Sequence, residues 1–175
     1  MILTVEESQE MIRQKAIDLS TIILVEKGIV FYAVSNPQQV DMIETQQIKR
    51  FIAEGDLKGA SASLMQMYLL REDKRLEGQK IGLAKLLNKM GDDLYYDHSN
   101  VKEALICYQL AVGLDPNNQE AMNTMVAICT PQGDVSMIEV ALPYAIVLHN
   151  LNPKRDSVEY VLRLMKEQRG KRNVN

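Results

Sequence analysis

Two stretches of this chain read alike: EALICYQLAVGLDP at Glu103–Pro116 and VALPYAIVLHNLNP at Val140–Pro153. In both, apolar and small residues recur every three or four positions, which is the spacing of one helix face. Both end in an acidic or amide residue followed by proline, a pair that terminates helices. Because the closing prolines lie about 37 residues apart, we predict that both stretches are helices of one repeated unit, the first of them over residues 101–114.

The sequence before each stretch predicts a partner helix. The first partner runs from Leu83 to about Tyr96, and the second covers residues 119–129. Asn100 and Asn118 stand at N-cap positions, where an amide oxygen accepts a hydrogen bond from the first helical turn. A helix–turn–helix unit that occurs twice is therefore predicted. Pro143 lies inside the last helix of the second unit, where it removes one backbone hydrogen bond.

The N-terminal part of the chain predicts further helices. Thr4 and Glu7 have the spacing of a capping box, which favours a helix over residues 5–27 that ends at Gly28. The following segment, residues 29–34, is β-branched and aromatic, and we interpret it as a helix or an extended packed connector.

Composition favours helices and a soluble fold. The 175 residues include nine Gly, five Pro and no Trp, and the formal net charge is −3. These values exclude collagen-like, disulfide-framework and membrane-spanning classes, and the near-neutral charge argues against a dedicated nucleic-acid-binding protein. Cys107 and Cys129 lack CxxC spacing, so we expect both to be reduced and buried. The N-terminus lacks the basic region of a secretory signal, so we expect a cytoplasmic protein.

A helix–turn–helix unit with small residues where the helices cross and a proline at its exit resembles the tetratricopeptide repeat (TPR) family. The first clear copy matches at Leu87, Met90, Gly91, Leu94, Ala104, Tyr108, Ala111 and Pro116. The second copy matches at Met122, Met125, Val126, Cys129, Ala141, Ala145, Leu148 and Pro153. A weaker third copy is carried by Phe51, Gly55, Asp56, Ala60, Leu64 and Met67. Gly91 and Ala104 are one residue farther apart than in the family, and we place the additional residue in the loop 97–100.

The resemblance implies an all-α fold, a short right-handed solenoid of helical hairpins with an extra N-terminal helix and a C-terminal capping helix. Residues 1–35 would form the N-terminal helix and connector, and residues 36–175 the repeat domain. The repeats would cover about residues 41–74, 84–118 and 119–155, followed by the capping helix at 156–169. An irregular helical bundle with the same spacing is the alternative.

In TPR proteins the first helix of each pair lines a groove that receives a partner segment. By this resemblance, the first groove set is Lys85, Asn88, Lys89, Asp92 and Tyr95. The second groove set is Glu120, Asn123, Thr124 and Ala127. Some chaperone-associated members hold a C-terminal carboxylate with Lys and Asn residues, but Asn88, Asp92 and Thr124 occupy the corresponding positions here. We therefore expect a different ligand.

The sequence offers little catalytic chemistry. Its two histidines, His98 and His149, lie far apart, and it has no glycine-rich phosphate-binding motif, so we expect no catalytic residue, metal or cofactor. The cluster Asp92, Asp93, Asp97 and His98 has ligand types suited to a divalent cation, but a solvated helix end is the preferred interpretation. The basic residues Arg163, Lys166, Arg169, Lys171 and Arg172 complement the dipole of the last helix. The methionines are expected in the core, with an adaptable apolar groove as the alternative.

The sequence therefore predicts a non-enzymatic protein–protein interaction module, an adaptor or assembly factor that binds a partner peptide or helix. The N-terminal helix is available for self-association, and we expect neither nucleic-acid binding nor membrane insertion. The alternative is a small chaperone for an exported apolar protein, resembling the TPR-type secretion chaperones.

Overall fold

The computed structural model describes residues 3–28, 46–71, 77–130, 135–154 and 157–172. These residues form helices and short connections without a strand, so the predicted all-α class is confirmed for them. The chain divides into two compact units, residues 14–115 and residues 1–13 with 116–175. They are called the central unit and the terminal unit below.

Helix α1, Val5–Glu26, has the predicted bounds to within one residue. Its capping box is formed: the Thr4 amide donates to Glu7 Oε2 at 2.8 Å, and the Glu7 amide donates to Thr4 Oγ1 at 3.1 Å. Gly28 follows the helix with φ of +73°, the left-handed conformation in which glycine commonly ends a helix.

Two helices of the central unit meet at a sharp break. Residues 46–53 are helical (α2), and helix α3 covers Leu57–Arg71. Gly55, between them, has φ of +73°. Asp56 caps α3, because its Oδ1 accepts a 2.9 Å hydrogen bond from the Gly59 amide.

An ion pair between Lys27, which follows α1, and Asp56 links the same break to the end of α1. Lys27 Nζ donates a short hydrogen bond to Asp56 Oδ2, and it lies 5.5 Å from the centre of the buried Phe51 ring. Arg50 lies over the same ring at 5.1 Å. Burial alone would raise the pKa of Asp56, but the hydrogen bonds from Lys27 and Gly59 and the nearby lysine charges outweigh it and lower that pKa.

Helix α4, Glu77–Asp92, begins well before Leu83, so the predicted start is wrong. The early part contains Gly78 and Gly82, whose low helix propensity hid it. The helix forms there because burial of Lys80 and Leu83 outweighs the low helix propensity of the two glycines.

A π-helical turn, Asp93–Asp97, ends α4. The Asn100 amide then donates to the Leu94 carbonyl at 2.8 Å. A π-turn contains one residue more than an α-turn. Relative to a continuous α-helix, one additional residue therefore lies at Asp93–Asp97, between Gly91 and Ala104.

Helix α5, Val101–Leu114, has the predicted bounds and packs against α3 and α4. Its predicted cap is present, with Asn100 Oδ1 accepting a 3.2 Å hydrogen bond from the Glu103 amide. Lys58 Nζ of α3 donates to Glu103 Oε2 at 2.6 Å. Gly113 allows close packing, since a Cβ there would lie 2.3 Å from Ala16 Cβ.

The terminal unit contains helix α6, Gln119–Cys129, helix α7, Val135–Leu151, and helix α8, Ser157–Arg172. Helix α7 packs against both α6 and α8. The predicted cap of α6 is confirmed, with Asn118 Oδ1 accepting a 3.1 Å hydrogen bond from the Ala121 amide. The core of this unit includes Met122, Met125, Ile128, Ile138, Ala141, Ala145, Leu148 and Val161.

Some predictions fall on residues outside the described ranges. These are the segment 29–34 and the domain boundary near residue 35. They stay predictions.

Candidate functional site

The outer surface of α4 presents two cations. Leu83, Leu87 and Gly91 are buried along the inner side of the helix. Lys85 and Lys89 lie on the opposite side, one turn apart and exposed. Neither forms an ion pair with any residue that the structure describes. Both ammonium groups are therefore available to an anionic ligand.

The other members of the first groove set are less accessible. Asn88 is only 5% exposed and has interaction partners inside the protein. Asp92 and Tyr95 are half-buried. The Tyr95 ring packs edge-to-face against Tyr96, with centroids 4.9 Å apart. The accessible charge of this set therefore belongs to its two lysines.

Asp92 has a defined structural partner. Its Oδ1 accepts a 2.6 Å hydrogen bond from the Tyr108 hydroxyl of α5. Burial raises the pKa of Tyr108, and the hydrogen bond to Asp92 raises it further, so the phenol remains protonated at neutral pH. The neighbouring Gly91 is buried against the same ring: a Cβ on Gly91 would lie 2.8 Å from Tyr108 Cε1.

The second groove set lies on α6, in the terminal unit. Glu120 and Ala127 are exposed, and Asn123 and Thr124 are half-buried. The Thr124 hydroxyl donates to the Glu120 carbonyl at 3.0 Å, within the helix. Asn123 also has an interaction partner. Glu120 and Ala127 are thus the freely accessible members.

The exposed apolar residues of α4 and its π-turn were not among the predicted groove residues. Leu86 is 47% exposed, Ile81 is 37% exposed and Tyr96 is 70% exposed. The available signal was the helical wheel, because Leu86 falls about 80° from the centre of the stripe that Leu83 and Leu87 define, at the edge of the buried side. Nothing within 4 Å surrounds the Cβ positions of Gly78 and Gly82, so the outer surface of α4 is flat between its long side chains.

The residues proposed as alternative metal ligands do not form a cluster. Asp93, Asp97 and His98 are exposed, and Asp92 is bound to Tyr108. Among the described residues no group of three or more His, Cys, Asp or Glu side chains is placed to hold a metal ion.

Both cysteines are free and buried, as predicted. Burial raises the pKa of Cys107 to about 11, although the Lys58 charge opposes the shift and the Glu103 charge adds to it. Burial also raises the pKa of Cys129 to about 11. The thiolate is the nucleophilic form, so neither side chain is suited to covalent catalysis at neutral pH.

Methionines whose side chains are described lie mostly in the core. Met65, Met122 and Met125 are buried, and Met90 is half-buried. They pack between helices, which was the preferred expectation. The Met67 side chain lies outside the described residues.

One cation of α8, Arg163, has an acidic neighbour on the same helix. Arg163 lies 5.5 Å from the Tyr160 ring centre, and its Nε is 4.0 Å from Glu167 Oε1. Lys166 and Lys171 are exposed.

Comparison with known proteins identifies no family: no family model, no curated protein and no solved structure matches this chain. Within its described residues, no helix has the length and apolar character needed to traverse a bilayer.

Proposed function

We propose that this protein is a non-enzymatic interaction module that binds a peptide or helix of a partner protein, as an adaptor or assembly factor. In this proposal the α4–α5 pair and the α6–α7 pair are TPR-like helical hairpins. The observation that carries it is the outer surface of α4, where exposed Lys85 and Lys89 have no ion-pair partner among the described residues. A surface with available charge and exposed apolar atoms has the chemistry of a protein-binding site.

The packing of the hairpins supports the TPR-like interpretation. Most residues that the repeat pattern assigns to the helix seams are buried: Leu87, Gly91, Ala104, Tyr108, Ala111, Met122, Met125, Val126, Cys129, Ala141, Ala145 and Leu148. Because these inner faces are filled, the groove residues stand on well-packed helices. A preorganised surface loses less conformational entropy when a ligand binds.

The test is affinity capture from the native source with three tagged full-length chains, read by quantitative mass spectrometry. They are wild type, the double variant K85E/K89E, and the control K102E/K166E, which makes the same change in net charge at exposed lysines on α5 and α8. We expect one or a few proteins to be enriched by wild type and by the control, and to be lost with K85E/K89E.

The variant A127E tests the second groove set in the same experiment, since Ala127 is exposed on α6. Circular dichroism on each chain verifies that helicity is unchanged. The proposal is wrong if no protein is enriched by wild type, or if all four chains enrich the same proteins equally.

A further inference from the structure

Two exposed helix faces of the central unit carry opposite charge. The α1 face consists of Lys15, Asp18, Ile22, Val25 and Glu26. The α4 face consists of Gly82, Lys85, Leu86 and Lys89, together with Asp93, the first residue of the π-turn that follows α4. The spacing in each set is that of neighbouring positions on one side of a helix. The charged members form no ion pair with a described residue, although Gln14 Nε2 donates to Asp18 Oδ1 at 2.8 Å.

Both faces also expose large aliphatic side chains. Ile22 is 54% exposed, Val25 is 62% exposed and Leu86 is 47% exposed. In each face the aliphatic residues are flanked by charge: Ile22 and Val25 lie between Asp18 and Glu26, and Leu86 lies between the two lysines. Burial of such side chains is favourable at roughly 25 cal/mol per Å² of apolar surface.

The order of charges makes the two faces complementary when the helices run antiparallel. Reading forward, α1 presents a cation at Lys15, then anions at Asp18 and Glu26. Reading backward, α4 presents an anion at Asp93, then cations at Lys89 and Lys85. Each positive group on one helix therefore has a negative group near it on the other.

The apolar residues fall into the same register. Ile22 lies about 10.5 Å along the helix axis from Lys15, and Leu86 lies about 10.5 Å from Asp93, at 1.5 Å rise per residue. When Lys15 is opposite Asp93, Ile22 is therefore opposite Leu86. Val25 then comes level with Leu83, about 1.5 Å along the axis from Gly82, where nothing within 4 Å fills the Cβ position. Val25, the more exposed of the two aliphatic side chains on the α1 face, thus lies beside the open position at Gly82.

The charge arrangement on α4 also favours an external anion. Lys85 and Lys89 are like charges one turn apart, an arrangement that destabilises a helix. Asp18 and Glu26 of another molecule would relieve this repulsion. A positive patch facing a negative patch also guides the two surfaces into one orientation.

We propose that the α1 face of one molecule docks antiparallel on the α4 face of a second copy of this chain. The inference rests on the proposed function, because it names the occupant of the α4 surface. Each face consists of five residues, far fewer than the roughly 20–30 a side of a stable interface, so we expect weak and reversible association.

Sedimentation velocity over about 1–300 μM protein at low salt tests the proposal, since micromolar dissociation constants fall in this range. Wild type is expected to self-associate, and salt should weaken the association because the pairs are exposed. The variants K85E/K89E and D18K/E26K should each weaken it by about tenfold or more, because attraction at two pairs is replaced by repulsion. In a mixture of these two variants, contacts between unlike molecules again pair opposite charges, so the mixture should associate where each variant alone does not.

The control K102E/K166E changes the net charge by the same amount as K85E/K89E, and it should associate like wild type. Circular dichroism verifies that all chains are folded. The inference is overturned if wild type is monomeric throughout, if the charge variants associate as strongly as wild type, or if the mixture remains monomeric. None of these results bears on partner capture, which is a separate measurement, so failure of this inference is distinguishable from failure of the proposed function.

Discussion

The Tyr108 hydroxyl donates its hydrogen bond to Asp92 beside the point where Gly91 meets the Tyr108 ring, so adjacent residues of α4 contact one side chain of α5. The glycine sets the separation of the helices, and the carboxylate fixes the position of the ring. Lys85 and Lys89 lie on the side of α4 opposite the buried Leu83 and Leu87. The surface proposed to bind partners is therefore held in place by packing on its inner side.

Gly91→Ala should destabilise the protein, although alanine is the better helix former. The new Cβ would lie 2.8 Å from two ring carbons of Tyr108, whose hydroxyl is already bonded to Asp92. We expect the free energy of unfolding in urea to fall by about 1–2 kcal/mol. Gly82→Ala is the matched control on the same helix: its Cβ position is open, so stability should rise by about 0.5–1 kcal/mol. Equal effects of the two changes would contradict this account.

Tyr108→Phe keeps the ring against Gly91 and removes only the hydroxyl. The half-buried Asp92 then loses a donor, and the free energy of unfolding should fall by about 1–2 kcal/mol at neutral pH. Tyr96→Phe, at a residue 70% exposed, should change it by less than about 0.5 kcal/mol. Because the folded pKa of Tyr108 is raised above 10.0, its contribution is complete below pH 10 and is lost as pH rises further. Urea unfolding at pH 7 and above pH 10 measures both effects.

The two thiols should be unreactive in the folded protein. At pH 8 a thiol of pKa about 11 has about one hundredth of the thiolate of a thiol at 9.0, and burial adds a steric barrier. We expect a disulfide reagent such as DTNB to modify both cysteines only after unfolding in urea. The variant A127C provides an exposed thiol on the same protein and should react at once. Rapid modification of two thiols in native wild type would be the opposite result.

Asp56→Asn should destabilise the protein at neutral pH and have little effect in acid. Asparagine can still cap α3, but the ion pair with Lys27 is lost, and we expect a decrease of about 1 kcal/mol at pH 7. Since the folded pKa of Asp56 lies below 3.8, the stabilisation is complete above pH 3.8 and is lost as pH falls through the folded value. Urea unfolding at pH 7, 4 and 2.5 should show the gap narrowing. Glu54→Gln, in an exposed pair with Arg50, is the control and should cost less than about 0.5 kcal/mol.

Helix limits were predictable where a local signal defines them. Asn100, Asn118 and the Thr4–Glu7 pair each form the predicted hydrogen bond, and α5 and α6 have the predicted bounds. A capping interaction involves residues three apart in sequence, so it is visible in the sequence itself. The all-α class follows from these signals.

Features that depend on tertiary contacts were not predictable. The start of α4 was hidden by two glycines, and the close approach of Gly113 to Ala16 depends on which helices are neighbours. Within the first groove set, the sequence could not distinguish the exposed Lys89 from the buried Asn88 beside it. Side-chain exposure at the edge of a helical stripe depends on the neighbouring helix.

The π-turn at Asp93–Asp97 has a consequence for insertions and deletions. Each residue added to or removed from a helix rotates everything that follows by about 100°. The rotation of α5 relative to α4 therefore depends on how many residues the connection contains and not on which residues they are. Loss of one residue here would rotate α5 relative to α4 and turn Tyr108 away from Gly91, whereas substitution of the exposed Asp97 would leave that contact in place.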